Sequence, residues 1–295
     1  MNRLKHILCP VDFSEASYQA MEKASFFAQL YQADLTLLHV IHVLPQSFGV
    51  VYGLDMSTNA MVEKATENAR VLLREAKQKY VPYAVKCKSS IRIGYPPEMI
   101  MEEAATTGAD LIVLNLPATA GNGAFPEETD QVLAQAQCPV IAFHAHKPDG
   151  LESRMGFKKI LVPLSRTTPL QAIYQYLDRY LSITGSDILL IGSLPADASD
   201  LRKNDYEQFL KQVTGEWSSK GLGKVNFTLK SGPDPSAEIQ KTGLSMGCDL
   251  MLIHANDIQD KKWIVNGSSA HQGNLIYHSP IPVMVLQKTE GERMA

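Results

Sequence analysis

The chain has 295 residues, 45% of them hydrophobic and 20% charged, with a net charge of −3. This composition excludes a disordered chain, and the length exceeds what one core normally organises, which predicts two domains. Without a basic excess there is nothing to track a phosphate backbone, so no nucleic-acid partner is expected, and no apolar run approaches the roughly 18 residues of a membrane span.

The N-terminal MNRLKHILCPVDF carries too short an apolar stretch for a signal peptide and reads as a first strand. The four cysteines, Cys9, Cys87, Cys138 and Cys248, lie far apart with no CxxC pair. Buried free thiols in a reducing, cytoplasmic setting are expected.

In chain order, the first strand is Ile7–Pro10. A helix follows, with Ala20, Ala24, Phe27, Ala28 and Tyr31 on one face, Ser14 as its N-cap and Glu15 in its first turn. Leu35–Val40 is the second strand. The segment 43–59, VLPQSFGVVYGLDMSTN, is unusually apolar for a loop and is either a flap on its own domain or a lid or partner surface. Ala65, Ala69, Leu72, Leu73, Ala76 and Tyr80 line one face of a second helix. Strands follow at Val85–Ile93, Leu111–Leu114 and Val140–Phe143.

Residues 146–156, HKPDGLESRMG, read as a linker. Beyond it the strands are Ile160–Val162, Ile188–Ile191, Val225–Leu229, Leu250–Ile253 and Val283–Leu286. Apolar strands alternating with helices predict two tandem open doubly wound α/β domains, residues 1–147 and 156–290. Each should hold a five-stranded parallel sheet with helices on both faces. Ligands of such sheets bind beyond the strands' C-terminal ends, which directs attention to the loops after strands one and four.

The halves repeat one another. KHILCPV (5–11) answers FKKILVPL (157–164), and GYPP (94–97) answers GPDP (232–235). GADLIVL from Gly108 answers GCDLMLI from Gly247, and CPVIAF from Cys138 answers IPVMVL from Ile281.

With ILCPVDFSEAS, LTLLHV, GADLIVL and QCPVIAF, the chain resembles the universal stress protein family, strongly in the first half and with more divergence in the second. The resemblance implies a nucleotide site built from an Asp after strand one and a Gly-x2-Gly-x9-Gly-(Ser/Thr) loop after strand four. Such glycines let backbone amides approach phosphates. It also implies dimerisation through the fifth strand.

The first half keeps Pro10, Val11 and Asp12, together with Val40, whose backbone the family uses for the base. Asn115 and Ala118, however, stand where the first two glycines belong, and Pro126, Glu127, Glu128 and Thr129 fill the place of the terminal Gly-Ser. In the second half Ser165 replaces the Asp, and His254 and Asp257 replace the glycines. Only Gly267 and Ser268 remain there. A carboxylate about 5 Å from a phosphate charge costs roughly 3 kcal/mol at an effective dielectric of 20. Weak ATP binding at most is therefore expected, and no resident cofactor.

No catalytic motif appears, and Asp12 suits ligand or loop contact better than general-base chemistry. His39 and His42 point to opposite strand faces, while His144 and His146 share one. Neither pair amounts to a metal site, and surface or loop histidines are expected. The reading is a non-catalytic stress-response or regulatory protein with degenerate nucleotide sites. The alternatives are an ATP-binding switch using the first half, or a binder of an apolar small molecule such as a lipid. The last strands, 139–143 and 282–286, carry no charge to blunt their edges and are expected to pair the two halves within the chain.

Overall fold

The structure, a computed structural model, describes residues 4–42, 55–116, 127–144, 157–178, 185–255, 275–277 and 279–287, with backbone alone at 55–59 and 127. Every structural statement below concerns these residues. Phe48 and Tyr52 of the apolar segment, Ala118 and the rest of loop 117–126, the linker, Asp257, Gly267 and Ser268 lie outside them.

The chain is an α/β protein of two compact units, one drawn from residues 4–140 and the other from 141–287. In the first unit β1 (His6–Pro10), β2 (Asp34–His42), β3 (Cys87–Gly94) and β4 (Leu111–Leu116) alternate with α1 (Glu15–Tyr31), α2 (Asp55–Tyr80) and α3 (Pro96–Thr107). Then come α4 (Glu127–Gln135) and β5 (Val140–His144), whose residues from Ile141 on group with the second unit. The strand order is β3-β2-β1-β4, in parallel register. Helices α1 and α2 pack together, as do α3 and α4.

The second unit continues with β6 (Lys159–Pro163), α5 (Leu170–Tyr176), β7 (Asp187–Pro195), α6 (Asp200–Ser219), β8 (Val225–Gly232), α7 (Pro235–Ser245), β9 (Leu250–His254) and β10 (Val283–Leu286). Its order, β8-β7-β6-β9-β10, is again parallel throughout.

Local chemistry explains these elements. Ile7, Leu8 and Cys9 of β1 are fully buried, as are Ile160, Leu161 and Val162 of β6, because a sheet covered on both faces needs apolar residues at consecutive positions. Ser14 caps α1 by accepting from Ser17 N at 3.1 Å. Gly108 and Gly247 adopt left-handed backbone at φ 64° and 67° just past α3 and α7, where a Cβ would be strained. Two residues later Asp110 Oδ2 accepts from Lys5 N and His6 N at 2.7 and 3.1 Å, and Asp249 accepts from Lys158 N and Lys159 N at 2.8 and 3.0 Å. The repeated Gly-x-Asp thus ends a helix and pins the entry of the neighbouring strand.

Several boundaries move. Strand β2 runs on to His42 and β7 to Pro195, paired with β3 and β8 as far as Gly94 and Gly232, although β1 and β6 have already ended. Helix α2 starts at Asp55, inside the segment read as a loop. Cys9, Cys138 and Cys248 are buried as expected, but Cys87 on the outermost strand is only half-buried. Burial raises the thiol pKa of Cys87 and Cys248 to about 11 and that of Cys138 to about 12. No helix among the described residues is long and apolar enough to cross a membrane.

Candidate functional site

The loop after β1 is organised by its own side chains. Val11 N donates to Leu38 O at 2.8 Å, which carries the ladder one residue past Pro10. Asp12 Oδ1 then accepts from Ser14 N at 2.9 Å and Ser14 Oγ at 2.6 Å. Partial burial pushes the Asp12 pKa up, but hydrogen bonds from Ser14, together with Ser17 and the Asp12 backbone, outweigh it and hold the carboxyl below its ordinary value. Between them Phe13 adopts φ 65°, a left-handed conformation that is strained for a bulky residue. Its ring lies against His39, with centroids 4.4 Å apart.

His39 holds the centre of this arrangement. Its Nδ1 lies 2.7 Å from Val11 O, and because a carbonyl only accepts, Nδ1 carries the proton. Parallel pairing alternates the direction of backbone groups. Leu38 therefore turns its carbonyl to the β1 side, and so does Val40, two residues beyond the last β1 pairing. Pro10, Val11 and Asp12 lie at the end of β1, with Val40 on the neighbouring β2.

Near the end of β4, Asn115 is engaged by its neighbours. Asn115 Nδ2 donates to Ala16 O at 2.8 Å, tying β4 to the first turn of α1, while Oδ1 is buried with no hydrogen-bond partner among the described residues. The Asn115 side chain is therefore committed to a contact between β4 and α1.

Strand registers map the second unit onto the first. Pro10 pairs with Leu38 and Pro163 with Ile191, so Gly192 corresponds to His39 and Ser193 to Val40. Ile7 pairs with Leu111 and Ile160 with Leu250, so His254 corresponds to Asn115. Leu164 N donates to Ile191 O at 2.9 Å, as Val11 does to Leu38. Gly192 has no side chain to offer Leu164 O. Instead Tyr206 of α6 donates its hydroxyl to it at 2.6 Å.

Gly192 makes room for this ring, since a Cβ there would stand 2.5 Å from Tyr206 Cε1. Both units therefore secure the same carbonyl, from different elements. In place of Asp12, Ser165 closes a hydroxyl cluster, its Oγ 3.0 Å from Thr167 Oγ1 and 2.9 Å from Thr168 Oγ1. His254 is fully buried.

The histidines depart from the surface or loop placement expected of them. His39 and His144 lie half-buried in β2 and β5, and His144 Nε2 lies 3.0 Å from Tyr277 O within the second unit. His42, at the exposed end of β2, stands 3.8 Å from Glu128 and near the Tyr95 ring. Among the described residues no cluster of three or more His, Cys, Asp or Glu could hold a metal. Sequence reasoning missed the roles of His39 and Tyr206. The one available signal was Gly192, since a lone glycine inside a strand marks a close approach.

Comparison with known proteins bears on both units. The universal stress protein family profile matches residues 3–144. The universal stress protein MJ0577 of Methanocaldococcus jannaschii is 31% identical over 122 residues, 37% of this chain and 75% of that one. A second protein of the same organism, universal stress protein MJ0531, is 26% identical over 150 residues, half of this chain and 86% of its own. Among solved structures, a universal stress protein from Archaeoglobus fulgidus superposes with a TM-score of 0.68 at 18% identity, covering 97% of each chain, a likeness of fold.

Proposed function

Since this chain belongs to the universal stress protein family, a stress-response group, we propose that it is a cytoplasmic, non-catalytic regulatory protein whose two halves are diverged copies with degraded nucleotide sites. The observation that carries the reading is Asn115. Its amide crosses to Ala16 O where a glycine would leave backbone amides open to phosphate. Support in the second half comes from buried His254 at the matching position and from Ser165 in place of a carboxylate.

The test is calorimetry of the full chain with ATP and Mg²⁺. The expected dissociation constant is about 100 μM or weaker, equivalent to roughly −5.5 kcal/mol. Asp12→Ala should abolish whatever binding exists and Ser165→Ala should leave it unchanged. Low-micromolar affinity would refute the degraded-site reading and favour the second one, an ATP-dependent switch. That alternative rests on the intact Asp12–Val40 side of the first site.

The reading includes pairing of the halves through their last strands, with domains near residues 1–147 and 156–290. What supports it is the apolar, uncharged character of β5 and β10, and the grouping of Ile141–His144 with the second unit.

A further inference from the structure

A groove of about 580 Å³ runs between α2 and β3, and none of the strand-end residues described above lines it. Its floor is Leu73, 1% exposed. From α2 it receives Arg70, Arg74 and Lys77, whose spacings of four and three residues place them on one helix face. From β3 it receives Ser89 and Ser90. No carboxylate lines it, although the whole chain is acidic.

Two of the cations already have partners. Arg70 touches Glu67 at 3.1 Å in a pair that is 66% exposed on both sides, which is a weak interaction. Lys77 Nζ lies 2.5 Å from Cys87 O, which poises it at the strand edge. Arg74 has no hydrogen bond or ion pair among the described residues.

The backbone adds donors. Strand β3 ends its unit's order, so one edge is open. Leu35 N donates to Lys86 O, and with Leu35 opposite Cys87 the alternation of parallel pairing turns the amides of Ser89 and Ile91 toward that open edge. Guanidinium, ammonium and hydroxyl donors therefore line one cavity whose lining holds no carboxylate, with outward amides and carbonyls of β3 along its edge. That combination suits a multivalent oxyanion, because charge-assisted bonds from Arg and Lys to phosphate oxygens are the strong ones.

We propose that the α2–β3 groove is a binding site for a small phosphate-bearing polyanion, separate from the strand-end nucleotide site. Its test uses the full chain and two probes, inorganic tripolyphosphate and glycerol 3-phosphate, titrated calorimetrically at low ionic strength. Saturable one-to-one binding of either probe is expected. Preference for the first identifies an inorganic chain as the ligand class, and preference for the second an organic phosphomonoester.

Arg74→Gln should weaken binding about tenfold or more, and Ser89→Glu, which places a carboxylate at the exposed edge, should weaken it at least as much. A control that removes three exposed charges elsewhere (Lys64→Gln, Lys211→Gln and Lys224→Gln together) should keep affinity within about twofold. Absence of saturable binding to both probes at about 1 mM overturns the proposal. So does a control that loses as much affinity as Arg74→Gln, since diffuse charge rather than the groove would then be responsible.

Discussion

Gly192→Ala tests the way the second half was rebuilt. The added Cβ would stand 2.5 Å from Tyr206 Cε1 and 2.9 Å from both Tyr206 Cδ1 and Leu229 Cδ1. Carbon atoms prefer about 3.5–4.0 Å, so the ring must retreat by about 1 Å. Little room exists for that, because Tyr206 is 8% exposed and its hydroxyl is fixed 2.6 Å from Leu164 O. Overpacking costs about 1–3 kcal/mol, and giving up a hydrogen bond to a buried carbonyl adds about 1 kcal/mol. The expected loss is therefore about 2–4 kcal/mol.

Urea denaturation followed by tryptophan fluorescence is a suitable assay, since Trp217 is buried on the same helix. At a slope of about 2 kcal/mol per molar urea, the midpoint should fall by about 1–2 M. In a Tyr206→Leu background the same substitution should cost at least about 1 kcal/mol less, because the clashing ring and its bond are gone. A loss below about 0.5 kcal/mol for Gly192→Ala alone, or strict additivity of the pair, would refute the argument.

Asp249→Ala should destabilise the second unit by about 2–3 kcal/mol in the same assay, because two backbone amides at the start of β6 lose a charged acceptor in a site only 7% exposed; a loss under about 1 kcal/mol would contradict this. His6 should titrate below 6.5 in the folded protein, since burial, with Lys88 and Lys86, lowers its pKa more than Asp34 and Asp110 raise it. The neutral imidazole is the favoured folded form, so its contribution is complete above pH 6.5 and is lost as pH falls through the lower folded value. An NMR titration placing the His6 midpoint at or above 6.5 would disprove it. Expressed separately, residues 1–147 and 156–295 should each self-associate or aggregate, and their mixture should form a one-to-one complex in sedimentation; two stable monomers that ignore each other would end the internal-pairing reading.

Much of this architecture was legible in the chain because its causes are local. Continuous apolar runs such as Ile7–Cys9 and Leu250–Ile253 mark strands buried on both faces, and these are where β1 and β9 form. Ser14 and Asp12 organise the head of α1 through contacts two and three residues apart, so their pattern was visible without a fold. The paired Gly-x-Asp landmarks were visible as a repeat, although their purpose was not.

The protrusion of β2 and β7 beyond their inner neighbours depended on pairing with β3 and β8, a property of partners rather than of either run. The cationic groove likewise joins a helix face to a strand edge, and neither half of it reads as a site alone. Sequence determined the strands and the first helix cap. Tertiary structure decided that His39 in one unit and Tyr206 in the other secure the same carbonyl, across separations of 28 and 42 residues. A buried carbonyl requires a donor, but nothing in that requirement fixes which part of the chain supplies it.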